Sequence, residues 1–377
     1  MPQINPALRK KLDTVAVDVA RKHAEAVDRE GAFPKASMDA LAGEGLLGLL
    51  SAREVGGMGM TIGAATLAVE CMARECGSTA MVLTMHYAGT AVIEKHGPVE
   101  VRGAIASGRH LSTLAFSESG SRSHFWAPTS TATRGADGRI TLNAQKSWIT
   151  AAGRATAYVW SSRPVKAEGA STLWLVPSDT KGIRMPSLYD GLGLRGNDSR
   201  PVTAEGVVIA QSSRLGDDGE GFAIMMQTVL PAFNLMSAAF SVGLMEGAVA
   251  RTAAHASGSR YAHMDAALAD FPTIRAYIAR MRVDTDMAKA LLLDAIDAVE
   301  SGREDAMLRV LECKAAAAET ALKVLATSMR VCAGAAYRRE VAVERYFRDA
   351  QAASVMAPTT DQLYDFIGKA VCGLPLF

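Results

Sequence analysis

One interruption in an otherwise helical pattern limits what this chain can fold into. From Asn5 to about His110, long Ala, Leu and charged runs carry a helical rhythm. They are broken only at Gly31 to Pro34, at VGGMG (Val55 to Gly59) and at Gly97 to Pro98. Beyond Ser112 come short β-branched or aromatic-rich pieces: TSTATRGADGRITLNAQKSWIT, ATAYVWSSR, STLWLVPSD, GIRMPSLY and TAEGVVIA. Gly, Pro, Asn and Asp separate them, a spacing that predicts a compact antiparallel β domain. Asp137-Gly138 within RGADGR is its sharpest hairpin signal, because such a turn needs positive φ. After Gly216 the helical period returns, with Ile274, Ile278, Met281, Ala288, Leu292, Ile296 and Val299 on one face, and predicts a bundle. The order α, β, α has no alternating βαβ units and so excludes a doubly wound nucleotide fold. The predicted fold class is α+β, mostly α, with domains at 1–110, 111–213 and 214–377.

GLGLRG (Gly191 to Gly196) satisfies GxGxxG letter by letter. It lies in the β-rich stretch with no strand feeding a helix, so it reads as a glycine-rich loop between strands.

Forty Lys plus Arg against 39 Asp plus Glu leave a net charge of +1, too little to gather nucleic acid or an anionic membrane. A small-molecule partner is favoured. The five cysteines form an odd set without a CxxC pair, which argues against a disulfide framework and a zinc site and for the cytoplasm. MPQINPALRKKLDTV has no apolar segment of the kind a secretory signal needs. The most apolar window, Leu230 to Ala250, is interrupted by Asn234 and Glu246 and predicts a buried bundle helix rather than a membrane span.

Several strings, each of moderate specificity, are distinctive together: VGGMG, AFSESGSRS (Ala115 to Ser123), QKSWIT (Gln145 to Thr150), GLGLRG, LGDDGEGF (Leu215 to Phe222), SAAFSVGLMEGAV (Ser237 to Val249) and VERYFRDA (Val343 to Ala350). With the α, β, α order they give a chain that resembles the acyl-CoA dehydrogenase family of flavoproteins over nearly its whole length. The resemblance implies an N-terminal helical domain, a middle antiparallel β-barrel-like domain and a C-terminal four-helix bundle. It also implies a homotetramer or homodimer, with one FAD per subunit held between the β domain and the bundle.

By this resemblance, Trp148 packs against the flavin ring and Thr150 hydrogen-bonds near flavin N5; without it, both are half-buried residues of a strand. Phe116 and Ser117 meet the pyrimidine edge, and Ser123 reaches a pantetheine arm. Arg122 stands where the family has glycine and His124 where it has aspartate, which implies a different local backbone or a charge set for a different ligand. Arg260 corresponds to an arginine that crosses to a neighbouring subunit's FAD diphosphate, Arg330 and Gly334 match the next diphosphate and ribose segment, and Thr359 keeps a place beside the flavin.

The family's catalytic glutamate is what this sequence lacks. Ala357 holds its usual position, and Phe233, followed by Asn234, holds the alternative one. Weak substitutes are His86, Glu118 and His124. Loss of general-base help costs typically about 10²- to 10⁴-fold. Three readings follow: oxidation of an acyl-CoA or related molecule by a non-standard route, with an electron-transfer flavoprotein or a flavin reductase as partner; a flavin-dependent monooxygenase working at flavin C4a, with FMN then also possible; or a desulfinase-like enzyme whose substrate carries its own leaving group. A non-catalytic binding protein ranks below these.

Overall fold

The computed structural model describes residues 6–376; Asn5, where the helical reading begins, lies outside them. The N-terminal part is helical: α1 (Pro6–Thr14) and α2 (Arg21–Glu30), joined by a π-helical segment, then α3 (Lys35–Gly43), α4 (Ile62–Ala73), α5 (Gly77–His96) and α6 (Val99–Ala106). Gly31 ends α2 with a left-handed φ of 62°, the conformation for which glycine is the default choice.

The middle part runs through β1 (Ser112–Ala115), β2 (Thr131–Arg134), β3 (Ile140–Ile149), β4 (Ala157–Ser162), β5 (Thr172–Pro177), β6 (Ile183–Arg184), β7 (Arg200–Ile209) and β8 (Arg214–Leu215). These form two four-stranded sheets, ordered β1-β4-β5-β8 and β2-β3-β7-β6. Both sheets contribute to one core, with Ile140, Leu142, Val202 and Val207 on one side and Tyr158, Trp160, Trp174 and Val176 on the other. The β2–β3 turn falls where Asp137-Gly138 placed it, with Gly138 at φ 79°. One pairing departs from the antiparallel expectation: β1 lies parallel to β4. Alternating apolar residues mark a strand's buried face but not its direction.

The C-terminal part is α7 (Gly221–Ile224), a π-helical segment, α8 (Leu230–Gly258), a small hairpin of β9 (Arg260–Tyr261) and β10 (Ala266–Ala267), then α9 (Pro272–Ser301), α10 (Ala306–Cys332), α11 (Val343–Val355) and α12 (Thr360–Val371). Helices α8, α9, α10 and α11 pack on one another, and α12 lies against α10. The Gly221–Gly258 stretch is apolar and long enough to cross a membrane, but its most apolar window is 94% buried within the protein. It is the bundle's central helix. Its glycines permit close approach to α4, since a Cβ on Gly243 would meet the Glu70 carbonyl oxygen at 2.4 Å and one on Gly247 the Arg74 carbonyl oxygen at 2.5 Å.

Two apolar clusters bind the parts together. The larger joins α1–α5 to α8–α11 through Leu12, Val69, Met72, Phe240, Leu292 and Tyr346. The second joins the end of α5 and the β domain to α8, α10 and α12 through Ile93, Phe116, Val159, Phe233, Leu311 and Phe366. Polar stitches cross the same seams. His86 on α5 is fully buried, with Nε2 2.9 Å from the Leu47 carbonyl oxygen while Nδ1 accepts from the Ser112 N–H at 3.1 Å. This fixes the Nε2–H tautomer, and burial pushes the imidazole down to about 4. His86 is therefore a neutral link between α5 and β1, not the free base the sequence allowed.

The folded pKa of His86 lies below its ordinary value of 6.5, so its contribution to stability is full above that pH and is lost as pH falls toward about 4. His86→Gln is expected to lower urea stability by about 1–3 kcal/mol at pH 7.5. The gap to wild type should narrow by pH 4.5; a gap that stays constant across that range would contradict the assignment.

Candidate active site

Where the three parts meet, a cavity of about 400 Å³ opens. Met85 of α5 forms one side, Ser117, Trp148 and Thr150 of the β domain another, and Phe233, Ala352, Val355, Met356 and Ala357 of the C-terminal part a third. The loop between β6 and β7, from Leu188 to Ser199, closes the fourth. A recess of about 60 Å³ continues beside it, sharing Met85, Ser117, Trp148, Phe233 and Ala357 and adding Leu114, Phe116, Phe125, Val229, Leu230 and Pro358.

Local backbone explains how the β domain presents its side chains. The pairing of β3 with β7 slips between Lys146 and Ile149, and Trp148 takes a left-handed φ of 56°. Such an irregularity re-aims a side chain that regular pleating would direct elsewhere. The indole is 61% exposed and stacks on Tyr189 at 4.0 Å with a 25° tilt. Thr150 is buried; its carbonyl accepts from the Thr113 hydroxyl at 2.8 Å and its own hydroxyl lies 3.3 Å from that of Ser199. Phe116 is buried in the recess and stacks on Phe125.

The β6–β7 loop is GLGLRG, and its glycines serve packing. A Cβ on Gly193 would meet the Arg348 carbonyl oxygen at 2.4 Å. Leu194 N–H donates to Asp349 at 2.6 Å, and Arg348 bonds both oxygens of Asp28 at 2.9 and 2.6 Å. Burial pushes the Asp349 carboxyl up to about 6, with the Leu194 N–H opposing.

The structure corrects the substitute bases. Glu118 is buried and pairs with Lys146 Nζ at 2.6 Å; it also accepts from the Thr129 N–H at 2.6 Å and from the Ser130 hydroxyl at 2.5 Å. Desolvation opposes its charge, but Lys146 and the hydroxyl donors hold the carboxyl below the usual glutamate range. That carboxylate is committed to a fold-locking ion pair. His124 is exposed, stacks on Trp126 at 4.9 Å and lines neither cavity. Arg122 keeps the left-handed turn that glycine would serve, at φ 48°, instead of remodelling it. Its side chain and that of Ser123 line neither cavity.

The expected cofactor residues divide in the same way. Phe116, Ser117, Trp148 and Thr150 come together around the cleft. Arg260 sits on the exposed β9–β10 hairpin, paired with Asp265 at 2.7 Å. Arg330 lies over the Tyr277 ring, Gly334 is exposed, and none of the three lines the cleft. Thr359 is the N-cap of α12, accepting from the Gln362 N–H at 3.4 Å.

Tyr189 and Lys314 are among the site residues to which no motif in the sequence points. Tyr189 was hidden in a loop without periodicity. Lys314 on α10 is fully buried, and its Nζ donates to the Met356 and Pro358 carbonyl oxygens at 3.0 and 2.5 Å. The signal was present, because Val310, Lys314, Ala317 and Ala321 share one helical face and are all buried.

The chemistry available follows from the lining. Among the described residues, no Asp, Glu, His or Cys lines either cavity. Arg195 is the one charged group on the main cavity wall, held by Asp190 at 3.1 Å and by the Asp28 carbonyl. A flat indole face, four hydroxyl side chains (Ser117, Thr150, Tyr189, Ser199) and apolar walls suit a large planar heterocycle that accepts a few hydrogen bonds. An isoalloxazine ring fits these residues. The cations expected for its diphosphate do not lie at this cleft within the chain.

A helical–β–helical molecule with such a cleft at its domain junction is the arrangement that the resemblance implies for a flavoprotein oxidoreductase. Three family models match in order: the acyl-CoA dehydrogenase N-terminal domain over residues 5–106, the middle domain over 113–207 and the C-terminal domain over 219–372. The human mitochondrial short-chain specific acyl-CoA dehydrogenase is 30% identical over 345 residues, covering 89% of this chain and 82% of that protein. Butyryl-CoA dehydrogenase from Megasphaera elsdenii superposes with a TM-score of 0.90 at 22% identity, covering 99% of this chain and 100% of that one. PigA with FAD and proline superposes with a TM-score of 0.90 at 18% identity, covering 99% of each chain. The chain belongs to the acyl-CoA dehydrogenase family, which typically binds FAD.

Lys146→Met leaves the Glu118 carboxylate buried without its cation and is expected to cost about 3–5 kcal/mol in chemical denaturation. Glu118→Gln turns one acceptor oxygen into an NH₂ donor facing N–H and O–H donors and leaves the buried Lys146 without its anion, so it should cost a comparable amount. Small losses for both would show that the pair does not lock the β domain.

Proposed function

We propose that the chain holds FAD with its ring in the cleft between Trp148 and the Phe233–Ala357 wall, and that it oxidises a small acyl thioester, an acyl-CoA or a close relative, without the family's usual carboxylate. One observation carries this reading: the flat face of Trp148 and the Ser117 and Thr150 hydroxyls line one cleft, as a flavin ring needs, while the described lining of both cavities contains no side chain able to take a proton at neutral pH, which is why the usual carboxylate is left out of it. Ala357 and Phe233 stand in that lining at the two positions where the resemblance places the acid.

Trp148, Thr150 and Ser117 would hold the ring, Trp148 through its flat face and the two hydroxyls through hydrogen bonds. When bound, FAD supplies two-electron redox chemistry. Met85, Phe233, Leu230 and Phe125 provide an apolar surround that excludes water from the reacting carbons. Arg260, Arg330 and Gly334 serve the adenosine half, with Arg260 reaching a second copy in a homotetramer or homodimer. An electron-transfer flavoprotein or a flavin reductase would serve as the redox partner, in the cytoplasm.

The same base-free lining favours a second reading, oxygen transfer by a monooxygenase or a desulfinase-like cleavage, since neither requires removal of an α-proton.

The purified protein is expected to be yellow and to release FAD on denaturation. Under anaerobic conditions, bleaching of the flavin by butyryl-CoA supports the dehydrogenase. Bleaching only by an added flavin reductase, with oxygen uptake when substrate follows, supports the monooxygenase. A colourless protein that cannot be reconstituted with FAD or FMN contradicts both. Ala357→Glu is expected to raise exchange of the acyl-CoA α-proton in D₂O by at least about 10²-fold over wild type; no exchange would mean that the site differs from a dehydrogenase by more than one missing group.

A further inference from the structure

Helix α10 carries a lysine where a bundle helix ordinarily places an apolar residue. Lys314 is buried among Val310, Leu311, Ala315, Ala317 and Ala318. It lines neither cavity, and among the described residues its ammonium has no carboxylate partner: its polar contacts are the carbonyl oxygens of Met356 at 3.0 Å and Pro358 at 2.5 Å. Nζ also lies over the Phe233 ring, 5.8 Å from its centroid. A lysine buried without a counter-ion is costly and persists only where its bonds serve something.

What these contacts hold is specific. Met356 and Pro358 flank Ala357, and both Ala357 and Phe233 line the main cavity and the recess. The two carbonyls belong to the short connection between α11 and α12, and Nζ is the group that pairs them. We propose that Lys314 is a positioning residue: it ties the 356–358 connection to the face of Phe233, and the wall so formed sets how large an acyl group the recess admits. This rests on the reading of the cleft as an acyl-thioester site.

Two details support a positioning rather than a catalytic role. Lys314 lines neither cavity, whereas Ala357, between the two residues it binds, and Phe233 line both. Burial also pushes its pKa down to about 7, and a neutral amine still has two N–H groups for the two carbonyls, so the clamp holds in either protonation state. The recess, at about 60 Å³, is far below the roughly 300 Å³ at which drug-sized sites begin, and it therefore suits a short acyl end.

The test uses the FAD-loaded protein titrated with acetyl-, butyryl- and octanoyl-CoA, each Kd read from the change in flavin absorbance. Wild type should bind butyryl-CoA more tightly than octanoyl-CoA. Lys314→Met, which keeps the volume and removes both donors, should lower the octanoyl-to-butyryl Kd ratio at least about tenfold while FAD content stays at wild-type level. Lys314→Gln, which restores an NH₂ group, should recover most of the selectivity. If Lys314→Met does not fold, Phe233→Leu, which removes the ring the clamp rests on, should lower the ratio in the same direction. An unchanged ratio in the folded variants, or Lys314→Gln behaving like Lys314→Met, would overturn the proposal. If no acyl-CoA perturbs the wild-type flavin, the acyl-thioester reading fails and this inference falls with it; a perturbed wild type with unaltered selectivity in the variants sinks this inference alone.

Discussion

The cleft exists because one turn of α11 grips the other two parts of the molecule. Arg348 chelates Asp28 of α2 and accompanies it with a bond to the Leu192 carbonyl at 3.1 Å. The next residue, Asp349, receives the Leu194 N–H. The bidentate fork gives this contact a fixed geometry that a single point charge could not. The middle of α11 is thereby registered against α2 and the β6–β7 loop, and its C-terminal end brings Val355, with Met356 and Ala357 just beyond it, to the cavity. The loop is further fixed by the Gly196 N–H on Ser78 and by Arg195 on the Asp28 carbonyl.

Backbone strain gathers in the same region. Trp148 and Leu194 have positive φ without being glycine, and both line the main cavity. Ala151 and Asp198 share the feature nearby in sequence. Such conformations cost of order 1–3 kcal/mol each and persist only where surrounding contacts over-determine them. Here the contacts are visible: Leu194 is held by Asp349, and the Ala151 and Ala152 N–H groups donate to the Asn197 and Asp198 carbonyls at 2.8 and 3.2 Å. The strain keeps an exposed indole face and a buried hydroxyl side by side, the arrangement a planar ring requires.

The order of the parts was legible in the sequence because helical and strand periodicities differ and the change between them is abrupt. Trp148, Thr150 and Ser117 were legible because QKSWIT and AFSES are contiguous strings whose chemistry is local. His86 and Glu118 were misread because their partners lie far away in the chain: Leu47 and Ser112 for the one, Lys146 and Ser130 for the other. A polar residue looks available until the group that saturates it is known. Lys314 was overlooked for the complementary reason, since a lone lysine in an Ala-rich helix reads as a solvated residue unless its helical face is traced. The parallel β1–β4 pair depends on a long connection that alternation does not encode.

The account stands on the claim that the cleft between Trp148 and the Phe233–Ala357 wall receives the flavin ring although no proton-accepting side chain lines it. A crystal structure of the protein grown with FAD tests this most directly. The account predicts ring density packed on Trp148 within hydrogen-bonding distance of the Thr150 hydroxyl, with no carboxylate or imidazole brought over its opposite face. Density for the ring elsewhere, or a rearranged Glu118 or His124 standing over it, would contradict the account.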